Sequence, residues 1–344
     1  MTTTPLHAHG YRAGAGKPAW MTATFCGITF FILCGSAGMA LLVGAIPVTT
    51  AQVVEALLRG GGDQAGVVIW SLRAPRVAVA VLAGACMATS GALMQGMTRN
   101  PLADPTLTGV AAGAACAIVV AQTCWPSLTP VWHPVLGILG GLLAAALTFA
   151  LTWRERFSPA HLALAGLAVT AFATAGITTV LVISGPEAAS LFFWLSGGLA
   201  GRGWEHVRLV WPWALAGALL ALICARPLNL MALGDDAAQS LGLHLPAWRI
   251  ACGAAAVMLA AAAVAVAGPL GFVGLCAPHL TRLCVGGDHR RLIPAAALFG
   301  AALVCVADLL ARTVAAPREL PSGFFTALLS APLLIRLIQR RGHA

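Results

Sequence analysis

The chain has 344 residues, of which 59% are hydrophobic and only 9% are charged, whereas soluble domains carry roughly 25% charged residues. This composition excludes an ordinary water-soluble fold. The net charge of +9 comes from arginines spread thinly along the chain, which does not favour a nucleic-acid-binding protein, because such proteins cluster basic residues on one face. The ten cysteines form no C-x-x-C or Cys/His cluster, so we expect no metal site and interpret them as small buried side chains.

Apolar stretches near the roughly 20 residues that a membrane helix requires recur along the sequence. The strict alternation that is typical of membrane β-strands is missing. The sequence therefore predicts an all-α, polytopic membrane protein with about ten transmembrane helices. The predicted spans are residues 20–46, 77–97, 106–124, 134–153, 160–183, 207–225, 246–267, 271–285, 292–310 and 323–338. We expect residues 1–19 to form a cytoplasmic N-terminal tail and residues 20–340 to form a single transmembrane domain.

Lysine and arginine positions predict the orientation, since cytoplasmic loops are enriched in both. Placing the N-terminus inside puts 13 of the 20 basic residues in the cytoplasm and 7 outside. Both termini are therefore predicted to be cytoplasmic. Arg73 and Arg76 are exceptions, because this orientation places both at the outer boundary of the second span.

The polar stretch "MTRNPLADPTLTG", residues 97–109, separates the second and third spans. Pro101 and Pro105 are expected to end one helix and restart the next, because proline disfavours helix at the preceding residue and fits a first turn. This predicts a short, stiff loop at the cytoplasmic face. The eighth span is short and contains Pro278 and His279, which is typical of a broken helix near a transport pathway.

A second long connecting segment, residues 226–246, follows the sixth span. We expect Pro227 to break the helix and two short helices to follow, over residues 228–233 and 235–241. Asp235 and Asp236 would then lie at the N-terminal end of the second, where a helix dipole favours them. The leucines of this loop favour a cytoplasmic helical platform over the alternative, a solvated loop.

Residues that could power transport or catalysis are scarce. Lys17 is followed by Pro18, so the phosphate-binding pattern G-x-x-x-x-G-K-[ST] fails. Asp104 and Asp235 fall in predicted cytoplasmic loops, and Asp308 is four residues before Arg312, the spacing of an ion pair on one helix. Neither a mid-membrane carboxylate for proton coupling nor a catalytic constellation is found. We therefore expect a non-enzymatic protein, and any ATP would be hydrolysed by a partner.

Six ordered motifs resemble one family. They are "RAPRVAVAVLAGACMATSGALMQGMTRNPLADPTLTGVAAGAA" (73–115), "LNLMALGDDAAQSLGL" (228–243), "AGPLGFVGLCAPHLTRL" (267–283), "DHRRLIPAAALFGA" (288–301), "ADLLAR" (307–312) and "ELPSGFFTALLSAPLLIRLI" (319–338). Over roughly residues 20–340 the chain resembles the permease subunits of type II ABC importers, the iron-chelate permease family, which imports iron-siderophores, haem and vitamin B12.

The resemblance implies an assembly in the bacterial inner membrane. Its parts are a homodimer with a pathway at the dimer axis, two cytoplasmic ATP-binding subunits and a periplasmic substrate-binding protein. Ten helices per subunit are implied, with spans two to five and seven to ten related as inverted repeats. ATP and Mg would bind the partner ATPase, and no cofactor is expected on this chain.

The resemblance also implies roles for particular residues. Arg73, Arg76 and Arg312 match arginines that dock the binding protein. Asn100 and Leu102 match a cytoplasmic gate. A second gate in the family uses neighbouring threonine and serine residues, whereas this chain has Ser158, Pro159 and Ala160 at that position. The residues matching the coupling helices, which contact the ATPase, are Leu228, Asn229, Leu230, Met231, Ala232, Leu233, Gly234, Asp235, Asp236, Ser240, Leu241 and Gly242.

The resulting prediction is the permease subunit of an ATP-driven importer of an iron chelate. Haem is favoured as substrate because Met87, Met94 and Met97 would suit a bulky amphiphilic ligand, with ferric siderophores and vitamin B12 as alternatives. A secondary transporter that works without an ATPase is the alternative of another class.

Overall fold

The computed structural model of the chain describes residues 17–44, 46–60, 62–106, 108–152, 159–184 and 188–341. Regular structure in these ranges is helical throughout. The helices are α1 (Ala19–Leu42), α2 (Thr50–Arg59), α3 (Gln64–Val67), α4 (Ala74–Thr98), α5 (Val110–Cys124), α6 (His133–Thr152), α7 (Pro159–Ile183), α8 (Ala188–Leu195), α9 (Trp204–Met231), α10 (Asp235–Ser240), α11 (Leu245–Ala267), α12 (Val273–Val285), α13 (His289–Thr313) and α14 (Ser322–Arg341). A π-helical segment, Val68–Arg73, joins α3 to α4.

Seven helical stretches among the described residues are long and apolar enough to cross a membrane. They contain α1, α4, α6, α7, α9, α11 and α13. The shorter apolar helices α5 and α12, together with α14, coincide with the remaining predicted spans. The prediction of an all-α, multi-pass membrane protein is confirmed.

Three helices form the inside of the bundle. In their most apolar windows, 72% of the residues of the stretch ending in α4, 72% of α11 and 61% of α13 are buried, against 17% for α1 and 22% for α7. The peripheral helices instead expose large apolar side chains such as Phe31 and Phe172. This arrangement suits a lipid environment, where the outer surface of the protein is apolar.

Glycines let the inner helices touch backbone to backbone. A Cβ on Gly91 of α4 would lie 1.8 Å from the carbonyl oxygen of Gly274, and one on Gly84 would lie 2.3 Å from that of Gly300 in α13. Lipid supplies no hydrophobic drive between helices, so contacts between small residues are a main source of their association. The glycines therefore fix how closely α12 and α13 approach α4.

The loop after α4 folds back into the protein. Asp104, predicted to lie in a cytoplasmic loop, is almost fully buried, and its Oδ2 would lie 2.9 Å from a Cβ on Gly274, near the start of α12. Non-helical backbone is tolerated at membrane depth when protein surrounds it. The short helix α5 follows the long inner helix α4 after a non-helical segment, and α12 follows α11 in the same way. This shared order of a long and a short helix agrees with the inverted-repeat organisation expected of the chain.

The prediction that Pro227 breaks the sixth span is wrong. Helix α9 continues through Pro212 and Pro227 to Met231, so the expected short helix over residues 228–233 is the last turn of α9 and the start of a tight turn. A proline removes one helical hydrogen bond, but packing against neighbouring helices makes this tolerable in membrane proteins. The expected second short helix is present as α10.

Replacing Gly91 with alanine should test the α4–α12 contact. The new methyl group would collide with the backbone of Gly274, and overpacking of this kind costs about 1–3 kcal/mol. We expect Gly91→Ala to lower the thermal unfolding temperature in detergent. The matched control is Gly253→Ala in α11, which meets nothing within 4 Å and should be neutral or stabilising by up to about 1 kcal/mol. Equal stability of the two variants would contradict the assignment of this contact.

Candidate coupling and gate sites

The residues matched to coupling helices, 228–243, form one continuous segment, here called the coupling segment. Within this segment, the side chains of Leu228 and Met231 are fully buried. Leu233 and Leu241 are 56% and 60% exposed, and Asp236 between them is exposed as well. The segment therefore has an inner face that packs on the bundle and an outer face that presents leucines and a carboxylate.

The exposed face is held in a defined shape by the end of α10. Gly242 has φ +83°, its N–H donates to the carbonyl of Gln239 at 2.8 Å, and the N–H of Leu243 donates to Ala238 at 2.9 Å. This pair of bonds is a Schellman motif, which usually places glycine at the left-handed position. Leu241 is consequently displayed on a fixed turn rather than on a solvated loop.

Asn229 ties the inner face to the start of α13. Its Oδ1 accepts hydrogen bonds from the backbone N–H of His289 at 2.9 Å and from His289 Nδ1 at 2.8 Å. Its Nδ2 donates to Asp288 Oδ1 at 2.6 Å. Although partial burial opposes ionisation, the bonds from Asn229 and from the Arg290 N–H and the nearby arginines lower the pKa of Asp288. Sequence reasoning did not detect this anchor.

The residues predicted to form the first gate lie in a compact loop. Asn100 Oδ1 accepts from the N–H of Leu102 at 2.9 Å, and the Asn100 carbonyl accepts from the N–H of Ala103 at 3.1 Å. Leu102 is 48% exposed. Of the second gate, Ser158 lies outside the described residues, and Pro159 and Ala160 are described only as the first turn of α7, so that gate stays a prediction.

At the other end of α4, Arg76 is almost fully buried between two carboxylates. Its Nε lies 3.1 Å from both oxygens of Asp308, and its Nη1 lies 2.9 Å from both oxygens of Glu319. Asp308 also pairs with Arg312 at 3.3 Å, the i,i+4 contact that the spacing predicts. The contacts of Arg76 with Asp308 and Glu319 were missed, because residues so distant in sequence leave no local pattern.

Arg73 and Arg312 hold the end of α1. Arg73 donates to the carbonyls of Leu41 at 2.6 Å and Leu42 at 2.9 Å, and Arg312 donates to Ala40 at 3.2 Å. Cations are favourable at this end of a helix. The structure thus brings the three predicted docking arginines together, yet gives each of them partners within the chain. Their contact with a binding protein stays a prediction.

The methionines that favoured haem lie in the core. Met87, Met94 and Met97 are all buried in the main apolar cluster, so they do not present a surface to a substrate in this conformation. His279 is buried in α12. Within the described part of the chain, His, Cys, Asp and Glu residues form no group of three that could hold a metal ion.

A multi-pass helical bundle with a structured, two-faced coupling segment defines a membrane permease. Comparison with known families agrees, since the model of the FecCD transport family matches residues 28–340. The chain belongs to the FecCD transport family.

Individual relatives cover most of the chain. It is 37% identical over 337 residues, 96% of this chain and 88% of the relative, to the iron(3+)-hydroxamate import system permease protein FhuB of Bacillus subtilis. It is 40% identical over 279 residues, 79% and 84% of the two chains, to the hemin transport system permease protein HmuU of Yersinia pestis. A solved structure described as a metal-chelate type ABC transporter in an inward-facing conformation superposes with a TM-score of 0.79 at 29% identity, covering 92% of this chain and 99% of that one.

Removing the charge of Asp308 should strongly destabilise the end of the bundle at which α4 begins. Asp308→Asn leaves Arg76 and Arg312 buried with one counter-charge fewer, and breaking a buried ion pair costs about 3–5 kcal/mol. The measurement is thermal unfolding in detergent. Glu55→Gln, which breaks the exposed Glu55–Arg59 pair, is the control and should cost less than about 1 kcal/mol. A small effect of Asp308→Asn, similar to that of the control, would refute a structural role for the network.

Proposed function

We propose that this protein is the permease subunit of an ATP-driven importer of iron chelates, located in a bacterial inner membrane with both termini in the cytoplasm. The observation that carries the proposal is the family match along residues 28–340, joined to a coupling segment that is exposed on one face. ATP hydrolysis is assigned to two separate subunits, with ATP and Mg bound there, so this chain is a translocating component rather than an enzyme.

The exposed face of the coupling segment supports an ATPase partner. Leu233 and Leu241 expose more than half of their surface at what the proposed topology makes the cytoplasmic side. Lipid does not cover apolar side chains there, and a partner protein would.

A second copy of the chain is proposed to pack beside α7. This helix exposes a line of threonines, Thr174 and Thr178 following the half-buried Thr170. Each hydroxyl donates to the carbonyl four residues earlier, at 2.8–2.9 Å, which leaves both lone pairs of its oxygen free to accept. A polar line on a peripheral membrane helix suits a wet pathway between two subunits better than a lipid-facing surface.

The outer face supports docking of a substrate-binding protein. A cavity of about 580 Å³ opens there, with Arg76, Arg202, Glu205 and Glu319 among its lining residues. Burial lowers the pKa of Arg202, and Glu205 opposes that effect. Alternating charges around a concave surface would orient the binding protein and make its association with this chain depend on salt concentration.

The substrate class is proposed as an iron chelate. Relatives whose names specify ferric hydroxamate and hemin are 37% and 40% identical to this chain, a difference too small to separate the two. The buried methionines give haem no additional support. Haem, ferric hydroxamate and vitamin B12 are therefore the compounds to compare.

Uptake by reconstituted vesicles tests the proposal. The protein is inserted into liposomes with its cognate ATPase and binding protein, and accumulation of haem, a ferric hydroxamate and vitamin B12 is measured with and without ATP. We expect accumulation of at least one iron chelate only when ATPase and ATP are both present. Accumulation without the ATPase would favour a secondary transporter, and uptake of vitamin B12 alone would refute the iron-chelate assignment.

Placing charge on the exposed leucines tests the ATPase surface. Leu233→Asp and Leu241→Asp put a carboxylate into a proposed apolar contact, and the loss of one such contact is worth about 1.4 kcal/mol, a tenfold change in affinity. We expect each variant to bind the ATPase subunit about tenfold more weakly in a titration in detergent. Leu283→Asp is the control, since Leu283 is exposed near the same end of the bundle but outside the coupling segment. An unchanged affinity for both variants would place the interface elsewhere.

A further inference from the structure

Asp235 stands between two arginines at the start of α10. Arg99 Nη2 donates to Asp235 Oδ1 at 2.9 Å, and Arg249 Nη2 donates to Asp235 Oδ2 at 2.8 Å. Both distances are those of charge-assisted hydrogen bonds between ionised groups. One carboxylate therefore uses each of its oxygens to hold a different guanidinium.

The three residues belong to three different parts of the cytoplasmic side. Arg99 caps the end of α4 and immediately precedes Asn100 of the first gate. Asp235 is the first residue of α10 in the coupling segment, and Arg249 lies in the second turn of α11. The carboxylate is thus a direct side-chain connection between the coupling segment and the residue next to the gate.

The backbone of Arg99 makes this connection stiff. Arg99 has φ +51°, in the left-handed region that non-glycine residues rarely adopt. On its two sides, Thr98 Oγ1 donates to Met94 at 2.7 Å and Asn100 Oδ1 accepts from Leu102 at 2.9 Å. Since both neighbours are hydrogen bonded, a pull on the Arg99 guanidinium would be passed to the gate loop rather than absorbed by a flexible stretch.

We propose that Asp235 is a positioning residue that transmits movement of the coupling segment to the gate loop of Asn100 and Leu102, through its bond to Arg99. The second bond, to Arg249, holds the carboxylate against the inner helix α11 while the gate moves. This inference rests on the proposed function, since it requires an ATPase that moves the segment.

The exposure of the three side chains agrees with a relay rather than a structural clamp. Asp235, Arg99 and Arg249 are 36%, 35% and 39% exposed. Ion pairs this exposed contribute little to stability, so their loss should leave the fold intact. Removing the carboxylate would, however, leave two arginines facing each other without a counter-charge.

Asp236 is a matched control on the same helix. It is exposed, and within the described ranges no ion pair is recorded for it, whereas its neighbour Asp235 makes two. Asp236→Asn therefore changes the net charge of α10 by the same amount as Asp235→Asn without breaking the connection to Arg99.

The test uses the complete reconstituted transporter and four variants: Asp235→Asn, Arg99→Gln, the combination of both, and Asp236→Asn. ATPase binding, ATP hydrolysis and substrate uptake are measured for each. We expect Asp235→Asn and Arg99→Gln to keep ATPase binding and hydrolysis within about twofold of the wild type, while the substrate moved per ATP falls about tenfold. The combined variant should be no worse than either single one, because both break the same link.

A direct readout of the gate separates a relay from a general defect. An environment-sensitive fluorescent amino acid replaces Leu102 in the wild type, in Asp235→Asn and in Asp236→Asn. We expect ATP to change its emission in the wild type and in Asp236→Asn, but not in Asp235→Asn. An emission change and a transport ratio in Asp235→Asn equal to those of Asp236→Asn would overturn the relay. Loss of ATPase binding in Asp235→Asn would overturn it too, by making Asp235 a contact residue.

The wild-type complex distinguishes failure of the proposed function from failure of the relay. If the wild-type complex shows no ATP-dependent uptake of any tested chelate, the proposed function fails and the relay fails with it. If the wild type transports and only the Asp235→Asn result is unchanged, the relay alone fails.

Discussion

The backbone contact between α4 and its neighbours is the constraint on which the rest of the structure depends. Gly91 lies so close to the carbonyl of Gly274 that no side chain fits between them, and Gly84 has the same relation to Gly300. These contacts seat the start of α12 and the middle of α13 directly on α4. Because α4 is thereby fixed along its length, groups at its two ends keep a defined position relative to the bundle.

The two ends of α4 carry arginines in different environments. At its N-terminal end Arg76 is buried between Asp308 and Glu319, where an unpaired charge would be costly and the pairs are hard to exchange. At the inner end Arg99 meets Asp235 on a surface that is about one third exposed, where water can replace a broken pair at little cost. The same helix is therefore anchored at one end and carries an exchangeable connection at the other.

Sequence reasoning recovered the features that depend on local pattern. The apolar stretches located the helices, and the spacing of Asp308 and Arg312 predicted their pairing. Pro227 misled it, since a proline inside a packed membrane helix is accommodated by neighbours that the sequence does not reveal. The burial of Asp104 was not predicted either, because a polar loop that turns back into the protein has the same composition as one that faces water.

The features that sequence could not predict are contacts between distant segments, and the proposed connection through Asp235 is one of them. Arg99, Asp235 and Arg249 each look like ordinary surface charges of a cytoplasmic loop or helix end. Only folding shows that the end of α4 and the starts of α10 and α11 lie at one place, so that a single carboxylate can join them. In a bundle whose interior is held by rigid backbone contacts, movement has to enter through groups that can shift without disturbing those contacts. Ion pairs at helix ends that are about one third exposed meet that requirement, whereas the buried network of Arg76 and Asp308 does not.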